Sequence, residues 1–293
     1  MIENKKTRVF YAFNYILVTL VVMTMLFPLL NIIAMSFSSE RAIMSNEVNI
    51  FPVEFTANTY VQVVKRTQIF RAMKNTVILT IVGTAINMFM TVCGAYALSK
   101  QRLAGRKAIL MLITFTMLFG AGLIPNFILI KNLGLMNTYW ALWLPGAIST
   151  YNMFVMKTFF SGIPASLEES AYIDGANDIR ILISIILPLS LPALATITLF
   201  YAVGWWNAYF SLILYVNVSS KKALQQILHD LINASGVVDQ LQMADSNDAI
   251  MQPIATESIK AVAIIIATMP IMCVYPFLQK YFTKGVLIGA IKG

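Results

Sequence analysis

Long apolar stretches without charged residues are the feature that most constrains the fold of this chain. A helix needs about 20 apolar residues to cross the hydrocarbon core of a bilayer. Only 12% of the 293 residues are charged and 58% are hydrophobic, whereas a typical soluble domain has about 25% charged residues. We therefore predict an all-α integral membrane protein with six transmembrane helices: Phe10–Met35, Ala72–Leu98, Ala108–Ile130, Thr138–Phe160, Ile185–Leu214 and Ile259–Tyr281.

The positions of Lys and Arg predict the orientation of these spans. Basic residues cluster before the first span, between the second and third spans, and after the sixth span, and with six spans these three places share one side. Because cytoplasmic loops are enriched in Lys and Arg, both termini are predicted to be cytoplasmic. The first apolar stretch is too long for a signal peptide and is predicted to be an uncleaved span. The net charge of +8 is explained by the span ends, so no nucleic-acid partner is expected.

The segment Ser161–Pro192 is the longest polar stretch on the predicted cytoplasmic side. Its first part is predicted to be a helix over Ala165–Ile173. Ser166 and Glu169 have the Ser-x-x-Glu spacing of a capping box. Gly175 is suited to the left-handed conformation that ends a helix.

The second part of this segment is predicted to be another short helix. Asn177 is a good N-cap, and Asp178 suits the positive first turn. Pro188 and Pro192 are expected to bend the chain as it enters the membrane. The residues expected to form an apolar stripe on this helix are Ile179, Leu182, Ile183 and Ile186. An alternative interpretation is that this helical hairpin only connects two spans.

Three short runs in this segment resemble the EAA loop of the permease subunits of bacterial ABC importers. They are Glu169-Ser170-Ala171, Asp174-Gly175-Ala176 and Ile186-Leu187-Pro188, with Ser170 at the middle alanine of the family pattern. Trp206-Asn207 and the ending Gly289–Gly293 are similar to the sugar-importing branch, which includes maltose-type permeases and oligosaccharide or aldouronate permeases of the lipoprotein-transport type. The resemblance implies a MetI-like permease fold. It divides the chain into an N-terminal stub, first span and outer loop (1–71), a permease core (72–284) with its coupling loop at 161–192, and a cytoplasmic tail (285–293).

The resemblance also implies partners and a cellular location. A second homologous permease, two cytoplasmic ABC ATPases and an extracellular solute-binding protein are expected at a bacterial cytoplasmic membrane. ATP is expected on the ATPases, since this chain lacks a GxxxxGK[ST] motif. We expect no cofactor, metal or enzymatic activity in the chain itself. The residues expected to couple ATPase closure to alternating access are Glu168, Glu169, Ser170, Ala171, Asp174, Gly175 and Pro188.

The predicted spans carry amides and aromatic side chains rather than an array of ionisable residues. Such groups suit sugar hydroxyls and sugar ring faces, so oligosaccharides or complex glycan fragments are the predicted cargo. The candidates for the substrate path are Asn87, Asn126, Trp205, Trp206, Asn207 and Tyr209. An alternative is that the amides form interhelical hydrogen bonds and that the aromatic residues lie in an interfacial belt.

Three other functions remain open from the sequence. An ATP-independent secondary transporter would show inverted repeats and ionisable residues at mid-membrane depth. A membrane enzyme would show clustered catalytic polar groups. An ABC permease could also import a non-sugar solute. The outer segment 216–257, amphipathic over Lys221–Asn233, is predicted to be either a membrane-surface loop or a docking surface for the binding protein.

Overall fold

The computed structural model describes residues 5–233 and 256–290, and the regular secondary structure in those ranges is helical. A single π-helical turn, Leu182–Ile186, and a short 3₁₀ turn, Ser219–Lys221, interrupt the α-helices. The α-helices in chain order are α1 (Lys5–Ser36), α2 (Glu40–Met44), α3 (Asn58–Arg66), α4 (Ile69–Ser99), α5 (Arg106–Leu118), α6 (Leu123–Asn132), α7 (Trp140–Trp143), α8 (Thr150–Ser161), α9 (Ala165–Ile173), α10 (Asp178–Ile181), α11 (Leu187–Leu189), α12 (Leu191–Trp206), α13 (Phe210–Tyr215), α14 (Leu224–Asn233) and α15 (Thr256–Ala290).

Three of the described helices are long and apolar enough to cross a membrane as single elements. They contain the stretches Phe10–Ser36, Ile69–Ser99 and Glu257–Val274, which correspond to the first, second and sixth predicted spans. Helix α15 continues through residue 290, so the predicted tail at 285–293 starts inside this helix. Residues 291–293 lie outside the described ranges.

The other predicted spans are interrupted, and the count of six is not confirmed. Helices α5 and α6 meet at 108°, and Asp178–Leu189 meets α12 at 85°, which gives at most five spans if each bent pair is one. The first bend includes Gly122, whose positive φ of 83° cannot continue a right-handed helix. The fourth predicted span divides into α7 and α8, because Pro145 and Gly146 lie between them.

The described residues divide into two compact units, one within 1–70 and 227–270 and the other within 71–226 and 271–293. In the first unit, a small apolar cluster of Ala34, Ala42, Ile43 and Val48 joins the end of α1 to α2. Arg41 binds Glu54 on the surface of this unit, and this hydrogen bond holds the pKa of the Glu54 carboxyl below its usual value. The apolar cluster and the ion pair thereby hold the segment after α1 in a compact conformation.

The second unit has two apolar cores, one beneath the coupling loop and one near the start of α4. The first core contains Ala95, Met156, Phe160, Ile181 and Ile186, together with other buried residues of α4, α8 and α12. The second core contains residues of α4, α7 and α13, among them Leu79, Leu142 and Leu212.

Hydrogen bonds tie the start of α4 to the segment before α14. The Asn75 amide donates to the Ser220 and Lys222 carbonyls, and Thr76 Oγ1 accepts the Leu224 amide N–H at 2.8 Å. The predicted amphipathic helix is therefore present as α14, and its start is attached to the rest of this unit. The predicted irregular outer stretch 236–253 lies outside the described residues.

Candidate functional site

The first helix of the coupling loop has the predicted bounds, but its start is formed differently. Helix α9 begins at Ala165 with Pro164 as the N-cap residue, and no side chain caps it. Ser166 is therefore inside the helix, where its carbonyl accepts a hydrogen bond from Ser170 Oγ at 2.9 Å. The predicted capping box between Ser166 and Glu169 is wrong, because the helix begins two residues too early for Ser166 to cap it. The Glu169 carboxylate is thus not needed by the local fold.

The turn after α9 has the conformation that was predicted for Gly175. Its φ is +77°, and two backbone hydrogen bonds close the helix end, from the Gly175 N–H to the Tyr172 carbonyl and from the Ala176 N–H to the Ala171 carbonyl. This pair of bonds is the Schellman motif. Ala171 and Ala176 pack against the core below, so this close-fitting turn has a fixed position in the unit.

The second helix of the loop starts as predicted, but it buries a different face. Asn177 Oδ1 accepts the Arg180 N–H at 2.9 Å and caps α10. The predicted apolar stripe is only partly correct: Ile186 is buried, whereas Ile179 and Ile183 are 68% and 59% exposed. The π-helical turn explains the difference, because i→i+5 bonding brings Ile181 and Ile186 to the same buried side.

A sharp bend connects the coupling loop to α12. It lies at Ser190, between Pro188 and Pro192, and measures 85°, in agreement with the predicted effect of the two prolines. Ser190 is fully buried, and its hydroxyl has no hydrogen-bond partner among the described residues. The loop therefore meets the membrane segment at a defined corner.

The acidic residues of the loop fall into two groups. Glu168 forms an ion pair with Lys100, and Asp178 accepts hydrogen bonds from Arg102 and from Tyr172 Oη. Glu169 and Asp174 are exposed, and none of the ion pairs found within residues 5–233 and 256–290 includes either of them. Of the predicted acidic coupling residues, Glu169 and Asp174 are thus available to a partner, and Glu168 is engaged within the chain.

The outward face of α9 also carries an apolar residue that sequence reasoning did not select. Ile173 is 86% exposed, the highest value among the large exposed apolar side chains. It follows Glu169 by four positions and Ser170 by three, which places the three side chains on one helical face. Its position at the end of a polar helix, directly before the Asp-Gly turn, was the available signal.

The second candidate region is an open cavity of about 590 Å³ in the second unit. Its volume lies within the range of about 300–1,000 Å³ that is usual for small-molecule sites. Helices α4, α8 and α12 and the segments after α7 and α12 line it. The lining residues are Asn87, Gly146, Ser149, Asn152, Phe200, Tyr201, Gly204, Trp205, Asn207, Ala208, Tyr209, Phe210 and Ser211.

A hydrogen-bonded triad fixes one aromatic wall of this cavity. Trp205 Nε1 donates to Asn87 Oδ1 at 2.6 Å, and Asn87 Nδ2 donates to the Gly146 carbonyl. The indole ring lies against Gly83, where an added Cβ would come within 2.6 Å of the ring. Asn87 is only 1% exposed, so its role here is to hold Trp205 in place.

The cavity contains four of the six predicted substrate-path residues: Asn87, Trp205, Asn207 and Tyr209. Asn126 lies on α6 and Trp206 is 9% exposed, and neither is among the lining residues. Sequence reasoning missed Ser149, Asn152 and Tyr201. Asn152 was visible as an amide in a predicted span, but the role of Tyr201 depends on distant contacts, with Thr91 Oγ1 at 2.7 Å and the Ser149 N–H at 3.2 Å.

Comparisons with known proteins assign this architecture to a family. The chain is 41% identical to the polygalacturonan/rhamnogalacturonan transport system permease protein YtcP of Bacillus subtilis (strain 168), over 98% of this chain and 100% of the relative. The chain belongs to the permease subunits of sugar ABC importers. No family model matches it.

Solved structures support the same fold for this permease. A chain of a bacterial ABC transporter involved in the import of the acidic polysaccharide alginate matches with a TM-score of 0.90 and 33% identity, over 96% of this permease and 99% of that chain. A chain of the bacterial alginate ABC transporter in complex with an alginate pentasaccharide-bound periplasmic protein matches with a TM-score of 0.58 over 94% of both chains. At 17% identity, this second match shows the fold alone.

Proposed function

We propose that this permease forms one half of the translocation path of an ATP-driven importer for oligosaccharides derived from acidic polysaccharides. The relation to a polygalacturonan/rhamnogalacturonan permease over nearly the whole chain is the observation that carries this proposal. Likeness to a chain of the alginate transporter, whose polymer is also acidic, supports the same cargo class. The coupling loop and the cavity supply the two structural elements that such a subunit needs.

The proposed assembly contains a second, homologous permease, two cytoplasmic ABC ATPases and an extracellular solute-binding protein. The alginate transporter is known in complex with an oligosaccharide-bound periplasmic protein, which supports delivery of cargo by a binding protein here. ATP binds to the ATPases, and this chain itself holds no cofactor and catalyses no reaction. Both termini lie in the cytoplasm of a bacterial cell, so that the coupling loop faces the ATPases.

The outward face of α9 is the proposed contact with the ATPase. Glu169 offers a free carboxylate to a basic residue, and Ile173 offers an apolar side chain to a pocket. Gly175 and the Schellman motif hold α9 at a fixed angle to α10. When ATP closes the ATPase dimer, the movement of α9 passes through the corner at Ser190 to α12.

The cavity is the proposed contact of this subunit with cargo. Trp205 presents an aromatic surface to a sugar ring, and Ser149, Asn152 and Asn207 offer hydrogen-bonding groups to hydroxyls. None of the lining residues is charged. The cavity therefore recognises the sugar hydroxyls and ring faces, and recognition of the carboxylates falls to the partner subunits.

Transport by the purified complex tests this proposal. The two permeases, the ATPases and the binding protein are reconstituted in liposomes, and uptake of a mixture of short oligogalacturonides is measured with and without ATP. We expect uptake that requires both ATP and the binding protein. Uptake without ATP would favour a secondary transporter, and ATP-dependent uptake of only amino acids or peptides would contradict the sugar assignment.

A further inference from the structure

Two basic residues after α4 hold the coupling loop in place. Lys100 pairs with Glu168 in the first turn of α9, and the two side chains are only 15% and 16% exposed. The Lys100 ammonium also lies 4.1 Å from the centre of the Tyr96 ring, a favourable cation–π arrangement. A pair this well shielded from water is screened much less by salt than a surface ion pair, so it can hold two elements together.

Arg102 forms the second attachment, on the other side of the Gly175 turn. Its guanidinium binds Asp178 at the start of α10 and the hydroxyl of Tyr172 in the last turn of α9. Burial, and then the hydrogen bond to Asp178, raise the pKa of the Tyr172 phenol above its usual value, so this hydroxyl keeps the proton that it donates. Tyr96 Oη adds a hydrogen bond to the Asp178 carbonyl at 3.2 Å.

Helix α4 leads from these attachments to the cavity. About two and a half turns before Lys100, Thr91 is hydrogen-bonded to Tyr201, which lines the cavity. About one turn earlier, Asn87 binds Trp205. One continuous helix thus connects residues that grip the coupling loop with residues that position the aromatic wall. The covalent route from the loop to the same wall passes through the π-helical turn and the 85° corner at Ser190.

We propose that Lys100 and Arg102 are positioning residues that clamp both helices of the coupling loop to α4, making α4 a second route by which ATPase closure reaches the cavity. The clamp spans the Gly175 turn, because Glu168 and Tyr172 lie before it and Asp178 lies after it. Movement of the loop as one body then displaces the end of α4 together with α10. This inference rests on the proposed import function, since it assigns a role within that cycle.

This clamp gives Glu168 a different role from the one predicted. Its carboxylate binds Lys100, and Glu169 and Ile173 make the contact with the ATPase. Exchanging the charges of Lys100 and Glu168 separates the two roles. A clamp survives the exchange, whereas a direct contact between Glu168 and a basic ATPase residue does not.

The test measures uptake and ATP hydrolysis together in the reconstituted complex, with short oligogalacturonides as cargo. We expect Lys100→Glu and Glu168→Lys to lower the ratio of sugar imported to ATP hydrolysed by at least about fivefold, the lower end of typical coupling between sites. The double variant K100E/E168K should recover most of the ratio. Lys107→Glu is the matched control, since it makes the same charge reversal at an exposed position in the first turn of α5 and should leave the ratio unchanged.

Each outcome bears on the clamp alone if the wild-type complex transports. An unchanged ratio in Lys100→Glu, or a double variant that assembles but does not recover, overturns the clamp. Lys100→Gln, which removes the charge and leaves a shorter, neutral polar side chain, replaces Lys100→Glu if the latter fails to assemble, and the same fall in ratio is expected. Absence of ATP-dependent uptake by the wild-type complex would instead contradict the proposed function.

Discussion

At the scale of single residues, Gly175 is the position where an added side chain is expected to impair coupling to the ATPase most directly. A Cβ at its φ of +77° would meet no atom within 4 Å, so the penalty is purely one of backbone conformation, roughly 1–2 kcal/mol. We predict that Gly175→Leu alters the angle between α9 and α10 and abolishes uptake, while the chain remains in the membrane. Uptake assays with membrane fractions blotted for the chain measure both effects.

Gly134→Leu is the control for this prediction. Gly134 also has a positive φ, +69°, with nothing within 4 Å of an added Cβ, but it lies at the end of α6, outside the coupling loop. Uptake by Gly134→Leu should fall far less than uptake by Gly175→Leu. Equal losses would mean that general backbone strain, rather than the loop geometry, explains the effect.

Substitutions of Trp205 test whether the cavity binds cargo. Trp205→Phe keeps an aromatic face but loses the hydrogen bond to Asn87, which is worth about 1 kcal/mol. Trp205→Ala removes the face as well. We predict a few-fold rise in the KM for oligogalacturonide uptake with Phe and a much larger rise with Ala.

Trp206→Phe provides the comparison for the cavity, because Trp206 neighbours Trp205 in sequence and does not line the cavity. Its KM should remain close to that of the wild type. An equal effect of Trp205→Phe and Trp206→Phe would argue against a specific role of the Asn87–Trp205 pair.

Residue-level prediction from the sequence succeeded at several positions where the signal was local, although the local capping box at Ser166 and Glu169 was wrong. The bounds of α9, the left-handed Gly175 and the Asn177 cap depend on residues a few positions apart, and all three agree with the structure. The Lys100–Glu168 pair joins residues 68 positions apart, so no local pattern indicates it. The apolar stripe was misassigned because a 3.6-residue period cannot anticipate a π-helical turn.

At the scale of elements, the exposed face of α9 makes a specific prediction about assembly. An apolar side chain that fits a protein pocket contributes more when it is buried than a solvated charge pair does. Ile173→Asp should therefore release the ATPases from the detergent-solubilised complex, as measured by pull-down on a tagged permease. Ile179→Asp, a change of another exposed isoleucine on the following helix, should have the smaller effect.

The interrupted spans show the limit of hydropathy at this scale. Charge-free length identified α1, α4 and α15 correctly as elements, since each is a single helix long and apolar enough to cross a membrane. Charge-free length also predicted α5 with α6, and α7 with α8, as single spans. It depends on composition alone and contains no information about the direction of the helix axis. Gly122 and the Pro145-Gly146 pair were the residues that indicated breaks.

At the scale of the whole molecule, the chain is one subunit of a larger assembly. We predict that a tagged permease, expressed with its neighbouring reading frames and purified in mild detergent, co-elutes with a homologous permease and two copies of an ATPase. Native mass spectrometry measures the composition. A stable, transport-competent complex that contains only this chain would contradict the prediction.

The bend between α5 and α6 limits which surface of the subunit can contact lipid. Residues 119–122 are non-helical and exposed, and acyl chains cannot hydrogen-bond the peptide groups of such a stretch. Inside a bilayer this edge must face another polypeptide or water. The seam between the paired subunits is thus expected along α5 and α6.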